Sequence, residues 1–123
     1  MRRRLLCINL AIAVVVAGAY LLWSRGVKTV VRNTGSATIR EVQVLVTGHS
    51  YALGDIRPNE VRSVHVKPSG ESSIVIRFTD ADGTSKSVDV NCYLESGSRG
   101  NISVDVAHGA IVRKAENTWY LPL

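Results

Sequence analysis

Aromatic residues, prolines and cysteines are scarce in this 123-residue chain, with one Phe, two Trp, four Tyr, three Pro and two Cys. Two cysteines do not make a disulfide scaffold. Cys7 lies inside an apolar run and Cys92 inside an alternating stretch, so a bilayer would separate them and they cannot pair within the chain. Cys92 reads as a buried apolar residue, with an intermolecular disulfide as the alternative in an oxidising compartment. No segment beyond residue 23 shows the 3.6-residue period of a helix. The chain has no G-x-S-x-G elbow and no H-E-x-x-H pair, and Gly97-Ser98-Arg99-Gly100 is too short for a phosphate loop. Its many serines fall in turns or on polar strand faces. No nucleophile, base and orienting group can be assembled from spacing, so neither catalysis nor a cofactor is expected.

Acidic charge is also in deficit, since 15 Lys/Arg face 10 Asp/Glu for a net charge of +5. That surplus invites a nucleic-acid reading, but Arg2, Arg3 and Arg4 supply most of it. Residues 24–123 keep 12 basic residues against all 10 acids, a net of only +2. No basic stripe interleaves with aromatics there, so nucleic acid is not an expected partner.

What is present begins with Leu5–Trp23, an apolar run without a charge and with one amide, Asn9. As a helix its 19 residues span ~28 Å, close to the ~30 Å hydrocarbon core of a bilayer. Tyr20 and Trp23 suit the headgroup layer at its far end. Arg2–Arg4 precede the run, while Arg25 and Lys28 follow it. The clustered arginines place the N-terminus inside and the rest of the chain outside the cytoplasmic membrane, periplasmic in a two-membrane cell. The expected organisation is a basic tail over 1–4, a transmembrane signal anchor over 5–23 and one domain over 24–123. Ala17-Gly18-Ala19 fits a signal-peptidase site, so a cleaved, soluble product is the alternative. Against cleavage, Tyr20–Trp23 would leave four apolar residues exposed at a new N-terminus. Asn9 could bond to a second helix, or locally near the headgroups.

Behind the run the period is 2. Val27–Asn33 reads as a first strand and Ile39–Thr47 as the clearest, with Val42, Val44 and Val46 on one face. A short strand is expected at Tyr51–Leu53, then strands at Arg62–Lys67 and Ser73–Thr79, the latter pointing Ile74, Ile76 and Phe78 inward. Thr84–Leu94 places Val88, Val90 and Cys92 together. Glu95–Gly100 reads as a polar loop, Ile102, Val104 and Val106 as another inner face, and Ala110–Ala115 as the last strand. Turn clusters separate these runs at Asn33–Ser36, Arg57–Glu60, Pro68–Gly70, Asp80–Gly83 and His108-Gly109. Seven or eight short strands at this spacing predict an all-β domain, an immunoglobulin-like β-sandwich preceded by one transmembrane helix.

Val30-Val31-Arg32-Asn33-Thr34-Gly35, then Ile39–Val46, then Leu53-Gly54-Asp55-Ile56-Arg57-Pro58-Asn59-Glu60 resembles the opening half of bacterial immunoglobulin-like modules of the CARDB and NEW3 type. Those modules carry an N-x-G turn, an alternating strand and an L-x-P-G-E turn. The resemblance covers about residues 27–67, with Asn59 where the turn glycine usually stands. The chain lacks the Cys…Trp…Cys core of antibody-type domains. The resemblance implies an extracytoplasmic interaction or scaffolding module and no catalytic residue.

Several short patterns invite chemistry. Asp80-Ala81-Asp82-Gly83-Thr84 has the acids of a calcium loop but not the further acids, distal Glu and flanking helices, and a tight hairpin needs the same residues. His49, His65 and His108 stand alone, without the spacing of metal ligands. Asn101-Ile102-Ser103 is a formal glycosylation sequon. The apolar end Trp119-Tyr120-Leu121-Pro122-Leu123 either folds over an open end of the sandwich or contacts a partner or membrane.

Together these features predict a non-enzymatic, membrane-tethered interaction module with a protein partner. Its candidate contact residues are Gly48, His49 and Ser50, the loop Glu95, Ser96, Gly97, Ser98, Arg99 and Gly100, and Trp119 with Tyr120. The alternative is a cleaved extracytoplasmic binding protein for a small ligand or metal.

Overall fold

The computed structural model describes residues 26–120. The expected tail, anchor and cleavage site, together with Leu121–Leu123, lie outside the described residues. Among the described residues no helix is long and apolar enough to cross a membrane.

Eight strands form: β1 (Gly26–Asn33), β2 (Ile39–Val46), β3 (His49–Ile56), β4 (Val61–Val66), β5 (Val75–Thr79), β6 (Ser85–Asp89), β7 (Ser98–Ala107) and β8 (Ala110–Tyr120). They make two four-stranded sheets, ordered β4-β1-β7-β8 and β3-β2-β5-β6. All pairings are antiparallel except β1 with β7, which is parallel from Gly26 opposite Arg99 to Asn33 opposite Val106. Hairpins link β2 to β3, β5 to β6 and β7 to β8. Every other connection crosses between sheets.

The period-2 residues fill the space between the sheets. Val42, Val44 and Val46 of β2, Ile76 and Phe78 of β5, and Ile102, Val104 and Val106 of β7 are all buried, as predicted. Each such side chain contributes roughly 1.5–3 kcal/mol by leaving water. Phe78, the chain's only Phe, is 1% exposed. β2 also holds Ile39 inward, three residues before Val42, which strict alternation forbids. The ladder shifts register between them, and Glu41 takes a φ of 50°. This bulge restores the inward face.

Asn33 is the most connected polar residue inside. It is fully buried at the end of β1. Its Nδ2 donates to the carbonyls of Ala37 at 2.8 Å and Ile56 at 2.9 Å, and its Oδ1 accepts from Gly35 N–H at 2.9 Å. The Asn-Thr-Gly turn is thereby stapled to the end of β3.

Beyond shifts of one or two residues at other strand ends, four larger differences from the sequence expectation appear. β3 covers eight residues instead of Tyr51–Leu53, because an edge strand needs few apolar side chains. The run expected over Thr84–Leu94 leaves the ladder after Asp89. Asn91 adopts φ 56° there, with its N–H on Asp89 Oδ1 at 2.8 Å. Val90, Cys92 and Leu94 still point inward, held by Val90 N–H on Ile74 O and by Leu94 paired with Ser72. Cys92 is 4% exposed and free, and burial pushes its thiol pKa up. A disulfide to another chain would require this edge to open. The expected loop Glu95–Gly100 gives its last three residues to β7, and β8 runs on to Tyr120.

Candidate interaction surface

The strand directions sort every connection to one of two ends. The end that holds Gly26 also holds the Thr47-Gly48 turn, the 67–74 and 90–97 connections and the finish of β8. The opposite end holds the 34–38, 57–60 and 80–84 connections and the His108-Gly109 turn. Gly48, His49, Ser50, Glu95–Gly100, Trp119 and Tyr120 therefore share one end, and it is the end where the chain enters β1.

Several of these residues have structural duties there. Gly48 turns against Ser69, and Ser69 N–H donates to Thr47 O at 3.0 Å. Ser98 is 5% exposed, and its Oγ accepts from Glu95 N–H at 2.8 Å to close the turn around Ser96 and Gly97. Gly100 has φ 111°, and a Cβ on it would strike the Asn117 carbonyl of β8. His49 is exposed, with its ring 6.2 Å from that of Tyr51. Tyr51 Oη accepts from Lys67 N–H at 3.0 Å.

Two corners of this end carry opposite charge. At one, the exposed Tyr93 hydroxyl lies between the carboxylates of Glu71 and Glu95, which hold its phenol pKa above the usual range. Asp89 is nearby and accepts from Ser73 Oγ and Asn91 N–H, which lower its pKa. At the other corner Arg99 stacks on Trp119, with Cζ 5.7 Å from the ring centroid. Trp119 continues β8 opposite Arg99 and is 51% exposed. It therefore does not fold back over the core. Tyr120 pairs with Ser98 through the backbone.

The other sequence candidates lie apart. His65 is on the outer face of β4, and His108 is in the turn at the opposite end. Asp82 Oδ1 accepts from Thr84 N–H and Oγ1, while Asp80 pairs with Lys86 at 2.8 Å. These donors lower both carboxyl pKa values and satisfy the acids within the hairpin. Among the described residues no group of three or more His, Cys, Asp and Glu could hold a metal ion. Asn101 of the sequon is exposed in mid-strand, with Ile102 buried beside it.

Sequence reasoning missed the outer face of the first sheet. Lys28 and Arg32 project there from β1, Arg99 from β7 and Arg113 from β8, against one acid, Asp105. The alternation of Lys28, Val30 and Arg32 was readable. That β7 and β8 lie alongside β1 was not.

No family model matches the chain, and no curated protein matches it. Among solved structures, the chain is similar to an NMR structure of a protein from Eubacterium rectale. The TM-score is 0.49 at 7% identity, over 79% of this chain and 88% of that one.

Proposed function

We propose that the protein is a non-enzymatic, membrane-tethered module that meets a protein partner outside the cytoplasmic membrane. The observation that carries this reading is where β1 begins. Gly26 follows Trp23, the last residue of the apolar run, by only three positions. At about 3.5 Å per residue, that end of the sandwich stays within ~10 Å of the bilayer. The opposite end, with its four short connections, is then the one presented to other proteins. Rigid scaffolds carry recognition on such clustered loops. A shallow hollow of about 240 Å³ lies there, between the 34–38 connection, the Asp80–Asp82 turn and His108. On this reading Gly48–Ser50 and Glu95–Gly100 lie at the membrane-proximal end and not at the end that meets the partner.

The connection order supports an immunoglobulin-like assignment. β1 through β6 match strands B, C, C′, E, F and G of that fold, with β1–β4 and β2–β5 as its two central antiparallel pairs. β7 takes the place beside β1 that strand A usually holds, but runs parallel to it. The buried Asn33 turn supports the CARDB and NEW3 resemblance.

Photocrosslinking in intact cells tests the function. A crosslinker at Ala81 should yield a protein adduct, and one at Ser96 should not. The reverse pattern overturns the distal assignment. Intact mass of the membrane fraction should include Met1, and loss of residues 1–19 would overturn the tether.

A further inference from the structure

We propose that the outer face of the first sheet lies against anionic lipid headgroups of the bilayer that holds the chain. The inference rests on the tethered reading above.

Charge segregation is the first argument. Val27, Thr29, Val31 and Asn33 point into the core, so Lys28 and Arg32 point out. Arg99 stands opposite Gly26, and Asp105 lies between Arg32 and Arg113 in one row across the sheet. The face carries four cations against the single Asp105, a larger surplus than the +2 of residues 24–123 as a whole. Among the described residues none of the four enters an ion pair. Anionic lipid attracts basic clusters held near its surface.

The tether is the second. Only Ser24 and Arg25 separate the apolar run from Gly26, whose φ of 97° suits a sharp turn into β1. The strand entered at that turn is the one bearing Lys28 and Arg32. Arg99 and Trp119 sit at the same end, an aromatic and a cation placed where both meet headgroups.

The opposite corner is the third. A domain standing end-on would press Glu71, Glu95 and Asp89 toward anionic lipid. Tipping onto the first sheet withdraws those acids and brings the basic face down. The sandwich thus has a preferred side as well as a preferred end.

The test uses the full-length chain with Trp23→Phe, so that Trp119 is the sole Trp, in nanodiscs containing a dansyl-labelled lipid. Energy transfer from Trp119 should be higher in phosphatidylglycerol discs than in phosphatidylcholine discs, and high salt should remove the difference. Lys28→Glu with Arg113→Glu should bring transfer down to the phosphatidylcholine value. Arg77→Glu, on the outer face of the other sheet, should leave it unchanged. Transfer that ignores lipid charge and salt overturns the proposal on the unreversed face, whatever the reversal variant does to folding. An Arg77→Glu effect equal to the double reversal also overturns it. Salt-sensitive quenching by soluble polyphosphate without lipid dependence assigns the face to another polyanion and overturns it too. A chain that fails to enter discs removes the tether and this inference together, whereas one that enters but ignores lipid charge removes this inference alone.

Discussion

Asn33→Ala should destabilise the sandwich by about 3 kcal/mol, from three side-chain hydrogen bonds at ~1 kcal/mol each. The three are the donations to Ala37 O and Ile56 O and the acceptance from Gly35 N–H. The backbone bonds of residue 33, to Glu60 O and from Asn59 N–H, survive the change, so the loss belongs to the amide alone. For a domain of this size the melting temperature should fall by roughly 12–24 °C. Asn33→Asp should be worse than alanine. It keeps an acceptor for Gly35 but turns a buried carboxylate toward two carbonyls. Urea unfolding of the full-length chain in micelles, followed by far-UV circular dichroism, measures both variants. A loss for alanine under ~1 kcal/mol, or an aspartate variant milder than alanine, would refute the claim that this amide holds the end of β1 to the 34–38 turn and the end of β3.

Phe78→Ala should cost about 3–5 kcal/mol, read from the urea midpoint, because a fully buried aromatic leaves a cavity. Gly100→Ala should cost about 2–3 kcal/mol through the clash with the Asn117 carbonyl, with amide exchange speeding up first in β8. Lys114→Met keeps most of the aliphatic stem but loses the donations from Nζ to Val90 O and Asn91 O, both at 3.1 Å. Exchange should rise in residues 90–94 while the other sheet edge stays protected; unchanged rates in residues 90–94 would refute it. Asp80, Asp82 and Asp89 all have folded pKa values below the ordinary 3.8. Their contribution is complete above that value and is lost as pH falls through the depressed folded values. The urea midpoint should therefore hold steady down to about pH 5 and drop below pH 4. Asp80→Asn with Asp89→Asn should flatten that drop.

The inward residues were legible because alternation is local. Val42, Val44, Ile76, Phe78, Ile102 and Val104 need no knowledge of partners to be assigned to a face. β3 was under-read because Ser50, Ala52, Gly54 and Asp55 give it little apolar alternation, which an edge tolerates. β8 was under-read because Lys114 and Glu116 lie opposite Val104 and Ile102, on the inner side. They overhang the rim of the other sheet, where Lys114 reaches the carbonyls of Val90 and Asn91. The candidate contact residues were picked as separate turns. Their gathering at one end, and the basic face beside it, depend on β1 pairing with β7 across more than 70 residues of chain. No local pattern records that pairing.

The same pairing sets the order of assembly. The second sheet has all its strands once Asp89 is made. The first cannot close until β7 arrives, because β1 sits between β4 and β7. A nascent chain thus carries its opening strand without its parallel neighbour through most of synthesis. Such distant contacts slow folding. If the chain is threaded through a translocation channel, as the proposed function requires, β1 meets its second neighbour only after β7 has passed.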